Sequence, residues 1–226
     1  MFIRIFFIAI IFFAVHACDV DAYVPRFDVP EDQQDVVVVD EPELSQAFHG
    51  ELADFPHTYE IVASEEFNLY VEILVPDIDS SENIISGIII KEQEDSGRVI
   101  EVTRLKAVDA SWESQKNKEF DEWYRVGPKF EEVLEAGTYR IETNTPDNIG
   151  KYVLVVGAND EMDIGYFDYI GRMVDVKKFS ERSPFLIILS PYIYIPILII
   201  GIVWFSVRRY RAQINNDEDG DDILNV

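Results

Sequence analysis

Two groupings of side chains in this 226-residue chain are equipped for more than folding. The first is Asp77-Ile-Asp79-Ser-Ser-Glu82-Asn83, which follows Pro76. Calcium collects several carboxylate and carbonyl oxygens from one turn. Asp77, Asp79 and Glu82 are therefore a candidate calcium set, although the loop lacks the glycine and the terminal glutamate of an EF-hand. The alternative is a polar loop between strands. No other cofactor is expected. The second grouping is the stretch Ala107–Lys129, read as one long polar loop carrying Trp112, Phe120, Trp123 and Tyr124. Exposed rings on the edge of a sheet suit stacking on a sugar or a hot spot for a protein partner. The same rings equally suit capping an open end of the core.

Acid–base and nucleophilic chemistry find little support. His16, His49 and His57 are the three histidines, and no HExxH, CxxC or GxSxG is present. Those patterns bring zinc ligands or a nucleophile together at fixed offsets. Glu65-Glu66 and Glu131-Glu132 are adjacent carboxylates, but such pairs say little in a chain with 43 acidic residues. The expectation is a non-catalytic protein, with a carboxylate-based hydrolase as the minor alternative. The net charge is −24, and residues 23–182 hold 36 acidic against 15 basic side chains. That field repels nucleic acid and favours cations and basic partners.

Terminal segments decide where these groups reside. Ser183–Val207 is 25 residues without a formal charge. As a helix it is roughly 37 Å long, against a hydrocarbon core of about 30 Å. A helix satisfies its own backbone in lipid. Pro184 suits a first helical turn, whereas Pro191 and Pro196 are expected to kink the interior. Tyr192, Tyr194, Trp204 and Tyr210 are candidate interface anchors, the first two lying deep. Arg208, Arg209 and Arg211 flank only the C-terminal end, which places the C-terminus in the cytoplasm. At the other terminus Arg4 precedes Ile5–Ala17, an apolar stretch of 13 residues, and small residues follow. This is the pattern of a secretory signal, with cleavage after Ala17 or after Ala22. Cys18, the single cysteine, follows Val15-His16-Ala17. The tetrad looks like a bacterial lipobox that departs from the pattern at His16, so Cys18 is a candidate for acylation or part of an ordinary cleavage region. No cysteine pair and no Asn-x-Ser/Thr acceptor occurs, which favours a prokaryotic envelope.

The intervening body reads as β-structure. Residues 23–43 form an acidic leader or stalk, with one candidate strand at Val36–Val39. Residues 44–158 form the sandwich. Phe67, Leu69, Val71, Ile73 and Val75 alternate with Asn68, Tyr70, Glu72 and Leu74, which predicts one buried face. Ala47–Leu52, Thr58–Ala63, Ile84–Ile90, Val99–Thr103, Gly137–Thr143 and Lys151–Gly157 are further strands, the sixth of these seven with Tyr139 and Ile141 inward. Turn signals separate them, including Gly127-Pro128 and Pro146–Gly150. Some eight short strands predict an all-β fold, an antiparallel sandwich or jelly roll. Residues 159–182 change to helical spacing through Ile164, Phe167, Ile170, Met173 or Val174, and Val176. This juxtamembrane helix either packs on the sandwich or lies at the headgroups. Residues 183–207 are the transmembrane helix and 208–226 a cytoplasmic tail, basic and then acidic.

Glu135-Ala-Gly-Thr-Tyr-Arg-Ile-Glu-Thr, a Pro-Asp-Asn-x-Gly turn and Lys151-Tyr-Val-Leu-Val-Val-Gly157 together resemble the last two strands of bacterial pre-peptidase C-terminal domains. Thr58–Ala63 and Phe67–Val75 are similar to their early strands. The resemblance covers roughly 47–157 and implies a small jelly-roll sandwich of the kind appended to secreted enzymes, several of which bind matrix, glycans or calcium. The resulting expectation is a single-pass, membrane-anchored, extracytoplasmic sandwich of a prokaryotic envelope that binds a protein or glycan. An accessory subunit of a membrane complex, acting through its span and juxtamembrane helix, is the competing expectation.

Overall fold

The computed structural model describes residues 23–79, 81, 85–93, 97–118, 120–159 and 165–221. The chain divides into one compact unit ending at Glu181 and a second beginning at Arg182.

Eleven strands make up the first unit among the described residues. They are β1 (Val24–Arg26), β2 (Val36–Val38), β3 (Gln46–Ala53), β4 (His57–Ala63), β5 (Phe67–Pro76), β6 (Ser86–Glu92), β7 (Val99–Leu105), β8 (Ser114–Asn117), β9 (Glu122–Leu134), β10 (Gly137–Asn144) and β11 (Ile149–Val156). One sheet has the order β1-β3-β11-β5-β9-β8, and the other β2-β4-β10-β6-β7. Strand pairing is antiparallel except where β1 joins β3 and β2 joins β4. The core lies between the sheets, and β5 contributes Phe67, Leu69, Val71, Ile73 and Val75 to it, as the alternation requires. Tyr139 and Ile141 of β10 face them from the other sheet.

Three expectations about the first unit are corrected. Residues 23–43 are not a free stalk, because β1 and β2 edge the two sheets in parallel. Val39 is buried in the core, so the valine run needs that partner. Second, Ala107–Lys129 is not one loop. It holds a short 3₁₀ turn at Ala107–Asp109, all of β8 and most of β9. Gly127-Pro128 marks a bulge rather than a turn, because Glu72 pairs with Lys129 while Leu74 pairs with Val126. A proline lacks the donor for a regular ladder, and a bulge is where a strand tolerates it. Third, Phe167 does not point inward: it is 84% exposed.

The helical segment becomes α1 (Tyr166–Phe179), which packs on the sandwich. It covers part of the outer face of the six-stranded sheet, burying Tyr169, Met173, Val176 and Lys177. That face carries a second apolar cluster of Ala47, Leu74, Tyr124, Val153 and Val155, with Phe179 packed against it. Apolar residues on the outer side of β3, β5 and β11 thus find their cover, at roughly 1.5–3 kcal/mol for each large side chain fully buried.

In the second unit, a six-residue 3₁₀ turn, Pro184–Leu189, precedes α2 (Pro191–Asp221). Pro191 opens the helix instead of kinking it. The residue before a proline is pushed out of helical backbone, and Ser190 sits at φ −66°, ψ 134°. Pro196 remains inside the helix. The stretch Pro191–Arg209 is 19 residues long, apolar enough to cross a membrane, and has no part buried.

Candidate functional site

The four aromatic residues of 107–129 separate into different environments. Trp112 lies against the inter-sheet core, and its indole Nε1–H donates to the Ala107 carbonyl at 2.8 Å. Its ring occupies the space above Gly127, where a Cβ would come within 2.6 Å of it. Phe120 is fully buried between Tyr23, 6.0 Å away, and Tyr169, 5.8 Å away (ring centroids). Tyr124 is also buried, on the helix-covered face. Trp123 alone among the four keeps substantial exposure, 42%.

Asp77 is committed to structure. Its carboxylate accepts from Ser114 Oγ at 2.6 Å and pairs with Arg125 Nε at 3.5 Å. Arg125 Nη2 also donates to the Ser81 carbonyl at 2.7 Å, so one guanidinium ties the turn to β9. Asp79 is exposed, and Glu82 lies outside the described residues. Among the described residues no three His, Cys, Asp or Glu side chains group as metal ligands. Cys18 also lies outside the described residues. Arg208, Arg209 and Arg211 lie on α2, where the Arg208 guanidinium sits 5.4 Å from the Trp204 ring centroid.

Part of the outer face of the six-stranded sheet forms a cavity of about 560 Å³. Leu74, Val126 and Tyr124 line it, with Tyr70 and Glu72 of β5, Tyr23, and Lys116 and Lys118 from the β8 side. Burial pushes the Glu72 carboxyl above the ordinary carboxylate range, against the opposing pull of the Tyr70 hydroxyl bonded to it and of Lys129. The Tyr70 hydroxyl is raised in turn, by burial first and then by Glu72 and Glu131. This arrangement offers hydrogen bonds, one carboxyl and several rings around an apolar floor, the usual makings of a small-molecule or side-chain pocket. Of its lining, sequence reasoning singled out only Tyr124. A signal was present in β5, whose outward positions include Tyr70 and Leu74 rather than polar residues alone.

Both histidines of the sandwich serve its interior. His49 Nδ1–H donates to the Ala47 carbonyl at 3.0 Å, and its ring stacks on Phe27 and meets Phe179 edge-on. Burial pushes its pKa down to about 4. His57 Nδ1 lies 2.7 Å from the Tyr152 hydroxyl, which lies 2.7 Å from the Tyr59 hydroxyl. Tyr59 belongs to one sheet and Tyr152 to the other, so this chain of hydrogen bonds pins the layers together. Gly50 makes room for it: a Cβ there would meet Tyr152 Cζ at 2.6 Å. One ion pair is interior as well. Lys177 of α1 reaches Glu122 of β9 at 2.7 Å, with the two side chains 3% and 1% exposed.

No family model and no curated protein sequence matches the chain. Among solved structures, the pre-peptidase C-terminal domain of collagenase from Bacillus anthracis is similar over 56% of this chain and 98% of its own, at 9% identity and a TM-score of 0.34. A mitogen from Yersinia pseudotuberculosis is similar over 53% of this chain and 89% of its own, at 11% identity and a TM-score of 0.33. A fucosidase from Ruminococcus gnavus, solved in complex with fucose, aligns with 57% of this chain and 23% of its own, at 14% identity and a TM-score of 0.27. The first of the three is of the family that the 135–157 stretch resembles in sequence. At these scores no residue role passes from any of them to this chain.

Proposed function

We propose that this protein is a single-pass, membrane-anchored, extracytoplasmic β-sandwich of a prokaryotic envelope that binds a partner or ligand without chemistry. The observation that carries the anchoring is Pro191–Arg209, an apolar helix with no buried face, ending in a basic cluster. Its length is about 28 Å, close to a hydrocarbon core of about 30 Å. Trp204 and Arg208 lie one turn apart at the basic end, a pairing suited to an inner interface. Tyr192 and Tyr194 fall in the first turn of α2, at the outer interface rather than deep.

The binding role rests on the open cavity beside Tyr70 and Glu72 and on the exposed Trp123. The residues best equipped for chemistry are instead engaged in holding the fold: Asp77 with Arg125, Glu122 with Lys177, and His57 with Tyr152. External protease applied to intact cells tests the topology. The tail beyond Arg211 should survive until the membrane is permeabilised; cleavage in intact cells would refute the orientation. Partner capture with the full-length chain tests the binding role. Loss of capture in Tyr70→Ala or Trp123→Ala is expected, and unchanged capture in both would remove these surfaces from the proposal.

A further inference from the structure

We infer that Pro184–Leu189 is an interfacial elbow that lies flat in the outer leaflet at the headgroup–acyl boundary, ahead of the span. This rests on the membrane anchoring proposed above. The six residues form a 3₁₀ turn bounded by extended backbone at Ser183 and Ser190. Ser190 closes the turn by donating its N–H to the Ile187 carbonyl at 2.9 Å. Its own carbonyl then accepts from Ile193 and Tyr194, at 2.9 and 3.0 Å, and starts α2. The chain therefore changes direction between two helical pieces at a single residue.

Length gives the first physical reason. Pro191–Arg209 already spans about 28 Å, enough for the hydrocarbon core. Adding the turn along the same axis, at about 2.0 Å per residue, would lengthen the apolar rod by some 12 Å. Backbone chemistry gives the second. The break at Ser190 interrupts the continuous ladder that a spanning helix needs in hydrocarbon. At the boundary, by contrast, water can reach those carbonyls and amides. Side chains give the third. Phe185, Leu186, Ile188 and Leu189 are 77, 42, 53 and 73% exposed, so four large apolar groups in six residues need cover. The acyl boundary supplies that cover while leaving the polar backbone wet, as for interfacial helices.

The test uses full-length protein in phosphatidylcholine vesicles, in a Cys18→Ser background. An environment-sensitive fluorophore is attached at Phe185→Cys, Leu189→Cys or Ile199→Cys, and its depth is read by quenching from lipids brominated at shallow or deep acyl positions. The expected result is strong shallow quenching at 185 and 189, with depths within about 3 Å of each other, and deep quenching at 199. A label at 189 lying about 8 Å deeper than that at 185, the rise of four 3₁₀ residues along the normal, would overturn the elbow in favour of a continuous rod. Quenching at 199 with none at 185 or 189 would overturn it in favour of a protein-covered segment. Absence of quenching at all three positions would overturn the membrane anchoring and the elbow with it.

Discussion

His49 shows how burial turns an ordinary side chain into a pH liability. Its imidazole is held neutral inside the helix-covered face, with a pKa of about 4 against 6.5 for a free histidine. Between pH 6.5 and 4 the unfolded chain takes up a proton that the folded chain refuses. The group therefore costs stability progressively as pH falls through that window, by about 3 kcal/mol at its lower end, and nothing above it. His57, also depressed by burial, acts in the same direction. Glu72 opposes them, because its raised folded pKa lets the native carboxyl bind a proton first. Melting temperature followed from pH 7 to 4 should fall more steeply for the native chain than for His49→Phe; parallel curves would refute the assignment. The hydrogen bonds of Tyr152 are a second residue-scale test. Gly50→Ala drives a methyl into the Tyr152 ring and should cost about 1–3 kcal/mol. Tyr152→Phe strands the Tyr59 hydroxyl and His57 Nδ1 and should cost a similar amount. Denaturant titration of the full-length protein in detergent measures both. The inward-facing parity of Tyr139 and Ile141 was legible in the sequence, since period 2 alone dictates it. That Tyr152 meets Tyr59 and His57 was not, because they lie more than 90 residues apart and join only when the sheets stack.

At the scale of elements, the latch between α1 and β9 carries the sharpest expectation. Lys177 and Glu122 are both withdrawn from water, so removing one leaves the other charged and buried. Lys177→Met should cost about 3–5 kcal/mol, and Lys177→Met with Glu122→Leu should recover most of it. Hydrogen exchange of α1 amides reads this directly: protection should fall in the single variant and return in the double. Unchanged protection in the single variant would mean that the apolar contacts of Met173 and Val176 hold the helix by themselves. Pro191 offers another test. Pro191→Ala lifts the constraint on Ser190 and should let α2 extend back toward Leu189, widening the depth difference between labels at 185 and 189. An unchanged difference would locate the break elsewhere. These elements were unequally legible. The alternation in β5 and the apolar run of α2 declare themselves because one face, or all faces, avoid water. By contrast β9, with Glu122, Lys129, Glu131 and Glu132 around Gly127-Pro128, reads as polar loop. It is a strand because β5 and β8 supply its hydrogen bonds.

For the molecule as a whole, charge and hydropathy organise the parts. The acidic body and the basic flank of α2 are of opposite sign, and the positive flank is what the inside rule reads. Replacing Arg208, Arg209 and Arg211 together with Asn should yield a mixed topology, seen as partial tail cleavage by external protease. A tail still fully protected would show that the arginines do not set the orientation. Some of this protein was determined by its sequence without tertiary information. An apolar stretch long enough for a bilayer is such a property, and so are period-2 strands and a net charge of −24, because each depends only on neighbours along the chain. Tertiary structure alone decided which carboxylates are spent on arginine and lysine, which rings are buried, and where a cavity opens on the outer face of the six-stranded sheet. Those outcomes depend on strands distant in sequence coming side by side, and on α1 covering one part of a sheet face and leaving another part open.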